Sequence, residues 1–199
     1  MELEQVVRRR RMVRAFTDEP LAPDAIDALI DLARRAPSAG NSQGCEFLVL
    51  DEAASVAAYW DATLPAERRA GFRWPGLVRA PALVVVAVRP AAYLERYAEP
   101  DKAATGLGEG TAAWPVPYWW VDAGAAVEHL LLGATAAGLG ACLFGLFEHE
   151  AAVAAHFGVP DDRRLVGTIA LGHPAPDAPG RSAARPRRTT AEVVHRNGW

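Results

Sequence analysis

Residues 130–147 form a stretch of 18 residues without a charged side chain, and this stretch restricts what the chain can fold into. Its length is near the lower limit for a membrane-spanning helix. Four glycines interrupt it, however, and Asp122, Glu128 and His129 lie just before it. A helix over 118–137 that stops at Gly138, followed by a strand, explains the pattern better than a membrane span. Because this helix is apolar around nearly its whole circumference, we expect it at the centre of the protein.

The remaining hydrophobic pattern predicts short strands and helices along the chain. Residues 82–88 form a valine-rich run typical of a strand buried on both faces. Pro23 and Asp24 suit the first turn of a helix, and Pro37 ends the apolar spacing that follows. Thr189 and Glu192 have the spacing of a capping box. The predicted helices are 3–10, 23–36, 52–60, 118–137 and 148–157, and the predicted strands are 46–50, 82–88, 141–144 and 165–171.

Residues 89–117 interrupt this alternation. They are rich in glycine and proline and lead into an aromatic stretch. Long irregular segments inside a compact domain are typically lids or binding loops. We therefore expect one domain over 1–199, with 89–117 as a lid or the wall of a substrate pocket. The candidate lining residues are Trp114, Tyr118 and Trp119. In the alternative interpretation, Trp119 and Trp120 only anchor the long helix in the core or in a dimer interface.

Composition and charge narrow the class of protein. The net charge of -3 argues against binding of a generic polyanion such as nucleic acid. Hydrophobic residues make up 51% of the 199 residues, so we expect an oligomer that buries part of this apolar surface. The N-terminus is charged and lacks an apolar signal core, which predicts a cytoplasmic protein. Cys45 and Cys142 have neither the number nor the spacing of a disulfide framework, so buried free thiols are expected.

Two segments carry the strongest functional signal. Residues 8–14 contain five arginines, whose forked donors match the oxygens of a phosphate. Residues 36–44 (APSAGNSQG) supply neutral hydrogen-bonding side chains that can read the polar edge of a heterocycle. Together they indicate a phosphorylated ligand with an amide-rich ring, and flavin mononucleotide (FMN) fits. The alternatives are a solvated basic helix end and an ordinary polar loop after a helix.

These segments resemble motifs of the FMN-dependent nitroreductase family. RRMVRAF at 10–16 is similar to the family's Arg-Arg-Ser-x-Arg-x-Phe, and 36–44 is similar to its Ala-Pro-Ser-x-x-Asn-x-Gln-Pro. Further matches follow in the family's order at 138–142, 171–174 and 187–195. The resemblance implies an α+β, nitroreductase-like fold in which helices flank a mixed, mainly antiparallel sheet, with a long central helix, as an intertwined homodimer. It also implies FMN, reduction by NAD(P)H, and a small electron-poor acceptor such as a nitroaromatic or quinone in a ping-pong hydride mechanism.

The resemblance also implies roles for individual residues. Arg10 and Arg11 would contact the phosphate or ribityl chain, and Arg14 the pyrimidine edge of the ring. Arg187 and Arg188 would supply a second basic set, with Arg185 as a competing candidate. Residues 36–44 would reach the flavin of the neighbouring subunit. The residues after strand 141–144 would lie beside N5 of the flavin ring. The further cofactor-binding residues implied are Met12, Pro37, Ser38, Ala39, Asn41, Gln43, Gly145 and Leu146.

No side chain stands out as an acid, base or nucleophile, and the five histidines lack the spacing of metal ligands. We therefore expect the flavin to carry the chemistry, with Arg14 tuning the ring and no metal. Met12, Gly44 and Cys45 depart from the family's usual Ser, Pro and Trp. These departures keep a second hypothesis open, a specialised flavin or deazaflavin enzyme that desaturates or dehalogenates a particular metabolite. A non-catalytic flavin-binding protein is the third.

Overall fold

A four-stranded sheet lies at the centre of the protein. The structure is a computed structural model and describes residues 2–177, 180 and 184–199. The strands are β1 (Cys45–Leu50), β2 (Ala82–Val88), β3 (Gly140–Phe144) and β4 (Arg164–Gly172). Their order in the sheet is β1-β2-β4-β3, and every neighbouring pair is antiparallel. The predicted α+β class with a mainly antiparallel sheet is confirmed.

Helices cover both faces of this sheet. The described residues include α1 (Leu3–Arg9), α2 (Pro23–Ala33), α3 (Ala53–Thr63), α4 (Ala66–Arg69), α5 (Pro90–Tyr97), α6 (Tyr118–Ala136), α7 (Glu150–Phe157) and α8 (Thr190–Val193). Side chains alternate along β2, so Val84 and Val86 pack with α2 and α6, whereas Leu83 and Val85 pack with α3 and the N-terminal segment. Every residue of β2 is buried, which explains its continuous apolar sequence.

The long helix α6 has the predicted bounds to within a residue and the predicted stop. Gly138 adopts a left-handed φ of +76°. Its N–H donates to the carbonyl of Thr135, and the N–H of Leu139 donates to the carbonyl of Ala134. This pair of bonds is the Schellman motif, in which glycine is favoured because it has no Cβ to clash. No helix among the described residues is long and apolar enough to cross a membrane.

The segment after α1 runs along the outer edge of β3. Met12 forms a parallel bridge with Ala141, and the N–H of Val13 donates to the carbonyl of Ala141 at 2.9 Å. Phe16 forms an antiparallel bridge with Pro174, just after β4. The arginine-rich segment is therefore fixed by backbone hydrogen bonds on both sides, because edge strands offer unpaired donors and acceptors.

Residues 89–117 are more ordered than the sequence predicted. They contain α5 and three short 3-10 turns. Tyr93 of α5 is fully buried, and Trp114 and Trp119 pack edge-on against it at 6.0 and 5.9 Å between ring centroids. The sequence missed α5 because its eight residues carry too short an apolar spacing to distinguish a helix from a loop.

Candidate functional site

A cavity of about 280 Å³ opens at the end of β3. It brings together three residues that the sequence assigned to the cofactor: Arg14, Gly145 and Leu146. Its remaining wall is mostly aromatic and aliphatic. The other lining residues are Tyr59, Trp60, Thr63, Leu64, Phe72, Trp74, Leu77, Cys142, Leu143, Phe144 and His149. A concave, largely apolar site with a few polar groups is the usual form of a small-molecule pocket.

Three contacts hold Arg14 at this cavity. Its backbone N–H donates to Oδ2 of Asp177 at 2.8 Å, and its Nη1 donates to the carbonyl of Met12 at 3.3 Å. Its guanidinium lies 5.5 Å from the ring centroid of Trp74, within the range of a cation–π interaction. Arg73 lies at 5.1 Å from the same ring. The cavity therefore carries a fixed positive charge at one side of an apolar wall.

Another part of the cavity wall is a stack of aromatic rings. Trp60 of α3 and Phe144 of β3 are nearly parallel, with centroids 5.7 Å apart and planes at 15°. Tyr59 meets both rings edge-on, and its hydroxyl donates to Thr168 at 2.8 Å. The indole Nε1 of Trp60 is buried without a hydrogen-bond partner among the described residues. Flat, rigid walls of this kind suit a planar ring.

The turn after β3 has an unusual backbone. Gly145 is exposed and Leu146 is buried, and the following Phe147 adopts a left-handed φ of +47° with 83% of its surface exposed. A left-handed conformation is uncommon for a bulky residue and is concentrated at functional sites. A strained residue thus directly follows Gly145 and Leu146, the two residues of this turn that line the cavity.

Residues 38–43, named here the amide loop, lie elsewhere in the protomer. Pro37, Ser38 and Gln43 line a cavity of about 100 Å³, and Asn41 and Gln43 line another of about 340 Å³. Neither cavity shares a lining residue with the Arg14 cavity. Ala39 contributes its N–H to the carboxylate of Asp122. The two halves of the sequence-predicted site therefore do not meet within one protomer.

The other arginines of the N-terminal cluster point to different surroundings. The Nε of Arg10 lies 3.3 Å from a carboxylate oxygen of Glu128 on α6, and Arg11 is exposed. Met12 is half-buried against β3, and its Sδ accepts the N–H of Leu143 at 3.4 Å. The side chain of Met12 is therefore committed to the sheet, and only its backbone carbonyl reaches Arg14.

The C-terminal arginines lie on an exposed arm. All residues from 184 to 199 are exposed, and α8 begins with the predicted capping box, in which Thr189 and Glu192 bond each other. The guanidinium of Arg188 donates to the carbonyl of Glu192. Among the described residues, Arg187 and Arg188 do not line the Arg14 cavity. Asp177, the last residue of the described range 2–177, does lie beside the cavity, because it accepts the backbone N–H of Arg14.

The three aromatic candidates for a substrate pocket differ in exposure. Trp119 is only 5% exposed and Trp114 only 6%, and both belong to the cluster around Tyr93. Tyr118 is 45% exposed. Trp114 and Tyr118 line an open cavity of about 500 Å³ beside Ala39, which Trp119 does not line. Trp119 thus has the position of an anchor for α6, the alternative that the sequence left open.

Sequence reasoning missed most of the cavity wall and the anchor of the amide loop. Trp60, Trp74 and Phe144 are far apart in sequence, so no local pattern connects them. In the sequence, Asp122 stands out only as a charge upstream of the uncharged stretch. An aspartate among the apolar residues of the first half of α6 is the available signal, since a buried carboxylate requires hydrogen-bond donors.

Cys45, at the start of β1, will react slowly with alkylating reagents. Burial, and secondarily the charge of Asp122, raises the pKa of its thiol to about 11. Because only the thiolate reacts, its alkylation rate will keep rising as the pH increases from 7 to 10. Mass spectrometry of Cys45 after timed iodoacetamide treatment measures this rate in Cys142→Ser. A rate that levels off near pH 8 would contradict the assignment.

Comparisons with known proteins agree with this architecture. A protein of Archaeoglobus fulgidus, provisionally named NADH dehydrogenase/NAD(P)H nitroreductase, is 24% identical over 201 residues, covering 100% of this chain and 99% of that protein. The structure of a provisional nitroreductase from Desulfovibrio desulfuricans in complex with FMN matches with a TM-score of 0.69 at 25% identity, covering 100% of this chain and 98% of that one. A nitroreductase family protein from Streptococcus pneumoniae matches with a TM-score of 0.75 at 18% identity, covering 98% and 99%. The family model described as the nitroreductase family matches residues 7–173. The chain therefore belongs to the nitroreductase family.

Proposed function

We propose that this protein is an FMN-dependent oxidoreductase that uses NAD(P)H to reduce an electron-poor small molecule such as a nitroaromatic or a quinone. We further propose that it acts in the cytoplasm as a homodimer. The observation that carries the proposal is the cavity that is lined both by Arg14 and by stacked aromatic rings. Membership of the nitroreductase family supports it, as does the relative whose structure contains FMN.

The residues at the cavity fit a flavin. When bound, FMN would accept a hydride from NAD(P)H and later pass two electrons to the acceptor. The guanidinium of Arg14 would favour the negative charge that the ring gains on reduction. Trp60 and Phe144 would pack against the ring, and the N–H groups after Gly145 would donate to its edge. A cavity of about 280 Å³ suits part of the ring rather than a whole nucleotide, so the phosphate would lie outside it, near basic side chains.

A homodimer would complete the site. Within one protomer the amide loop and the Arg14 cavity are separate. We propose that Pro37, Ser38, Ala39, Asn41 and Gln43 serve the site of a second copy, as the resemblance implies. The exposed apolar side chains of α1 and α6, among them Leu3, Val7 and Val121, provide surface for such an association.

A second candidate function keeps the cofactor and changes the substrate. The aromatic cavity formed by Trp114 and Tyr118 beside Ala39 is the specific observation that favours it. A pocket of this kind would suit a particular apolar metabolite, acted on by a specialised flavin or deazaflavin enzyme. Failure of every nitroaromatic and quinone acceptor, in a protein that binds flavin, would favour this alternative.

The absorption spectrum of the purified protein tests the proposal. We expect an oxidised-flavin spectrum that bleaches when NADH or NADPH is added without oxygen, and that returns when a quinone or nitroaromatic follows. Extraction and chromatography of the pigment identify FMN. A colourless protein that does not bind added FMN would exclude the proposed function.

A further inference from the structure

We propose that Asp122 is a positioning residue that fixes the amide loop in the conformation needed to bind flavin, with Arg96 as a second anchor. This inference rests on the proposed function. It also assigns a role to α5, which the sequence placed in a segment expected to be a lid.

The amide loop combines internal hydrogen bonds with a backbone in an unfavourable conformation. Gly40, Asn41 and Gln43 have φ values of +61°, +57° and +51°. Left-handed conformations at residues other than glycine are unfavourable and persist only when the surroundings hold them. Contacts from outside the loop therefore add to its internal hydrogen bonds in stabilising this conformation.

Asp122 supplies the first external contact. It lies on α6, is 7% exposed, and its Oδ2 accepts both the N–H of Ala39 and the hydroxyl of Tyr93, each at 2.8 Å. A buried carboxylate is tolerated only when donors satisfy it, and the N–H of Ala39 and the hydroxyl of Tyr93 supply these donors to Asp122. This contact ties the start of the loop to α6, the helix that packs on the sheet.

Arg96 supplies the second external contact. Its Nε donates to the carbonyl of Gly40 at 2.8 Å, while its Nη atoms bind both oxygens of Asp101 at 2.7 and 2.8 Å. The bidentate ion pair fixes the plane of the guanidinium, so Nε is aimed at the loop. The ring of Tyr97 completes the support, since a Cβ at Gly40 would lie 2.8 Å from it.

These contacts leave the functional groups of the loop available. Within the loop, Asp122 and Arg96 form hydrogen bonds only with main-chain atoms, those of Ala39 and Gly40. The Oγ of Ser38 accepts the N–H of Gln43 at 3.0 Å, which closes the loop from inside. The side chains of Asn41 and Gln43 are exposed. They are thus displayed on a fixed backbone, the arrangement that binds a ligand with the least loss of entropy.

The test compares variants that remove the contact of Asp122 or Arg96 with the amide loop and variants that keep both contacts. Asp122→Ala removes the acceptor of Ala39. Asp122→Asn retains an oxygen that can accept both donors, and Tyr93→Phe leaves the bond to Ala39 intact. Arg96→Gln removes the second anchor. Arg89→Gln is its control, because Arg89 forms a similar ion pair with Glu95 on the same helix and its guanidinium donates no hydrogen bond to the loop among the described residues.

Three measurements separate positioning from general damage. Amide exchange of residues 38–43 is measured in the flavin-free protein, followed by the FMN dissociation constant and the visible circular dichroism at saturating FMN. We expect Asp122→Ala to speed exchange and weaken FMN binding by roughly tenfold, and Arg96→Gln by less. Asp122→Asn and Tyr93→Phe should stay within about threefold of the wild type. We also expect Asp122→Ala to alter the visible circular dichroism of the flavin at saturating FMN. A loss of stability alone would not produce this change.

The outcomes also distinguish this inference from the proposed function. If the amide exchange of residues 38–43 is unchanged in Asp122→Ala, Asp122 does not fix the loop and the inference is overturned. Faster exchange with unchanged FMN affinity and dichroism would overturn its role in flavin binding. If the wild-type protein binds no FMN, the proposed function fails, whereas the exchange data still decide whether Asp122 holds the loop.

Discussion

Arg14→Gln will weaken FMN binding by about 10- to 100-fold, because a hydrogen bond to a charged group contributes about 1.5–3 kcal/mol. The change removes the guanidinium that lies against Trp74 at the edge of the cavity. It retains the backbone N–H that binds Asp177, so the chain path should be preserved. Fluorescence titration of the flavin-free protein with FMN measures the dissociation constant.

The same variant should make the bound flavin harder to reduce. A positive charge beside the ring stabilises the reduced anionic form, so its loss will lower the midpoint potential and slow reduction by NAD(P)H. Arg14→Lys retains the charge without the planar stacking. Its FMN affinity and midpoint potential should therefore fall between those of Arg14→Gln and the wild type. Arg8→Gln is the matched control, since Arg8 is exposed and pairs only with Glu4 among the described residues. Equal affinities and potentials for Arg14→Gln and Arg8→Gln would remove Arg14 from the site.

Elements with a strong local pattern could be predicted from the sequence. The limits of β2 agree to the residue, because seven apolar residues between turn signals allow few alternatives. The end of α6 agrees as well, since Gly138 can adopt the left-handed conformation that ends a helix without a steric clash. The capping box of α8 agrees because both of its residues are local.

Features that depend on long-range contacts could not be predicted. The cavity wall joins Trp60, Trp74 and Phe144, whose proximity follows from the packing of α3 and β3. The helix α5 depends on the packing of Tyr93 against Trp114 and Trp119, which its own sequence does not indicate. The motifs of the candidate site were found, but their division between two separate regions of the protomer requires coordinates.

The chain's stability should depend most strongly on the face of α6 that covers the sheet. Leu130 is fully buried among the side chains of α2, β2 and β4. We expect Leu130→Ala to lower the free energy of unfolding by about 2–5 kcal/mol, because it loses the transfer free energy of the side chain and leaves a cavity. Urea unfolding followed by circular dichroism, at one fixed protein concentration, measures this change.

Leu32→Ala on α2 provides the matched control. It is the same substitution in a neighbouring helix, but Leu32 is 46% exposed, so it should cost well under half as much. The comparison isolates burial, because both changes exchange leucine for alanine within a helix and alter helix propensity little. If the two variants unfold at the same urea concentration, α6 does not form the core that the sequence and the fold both assign to it.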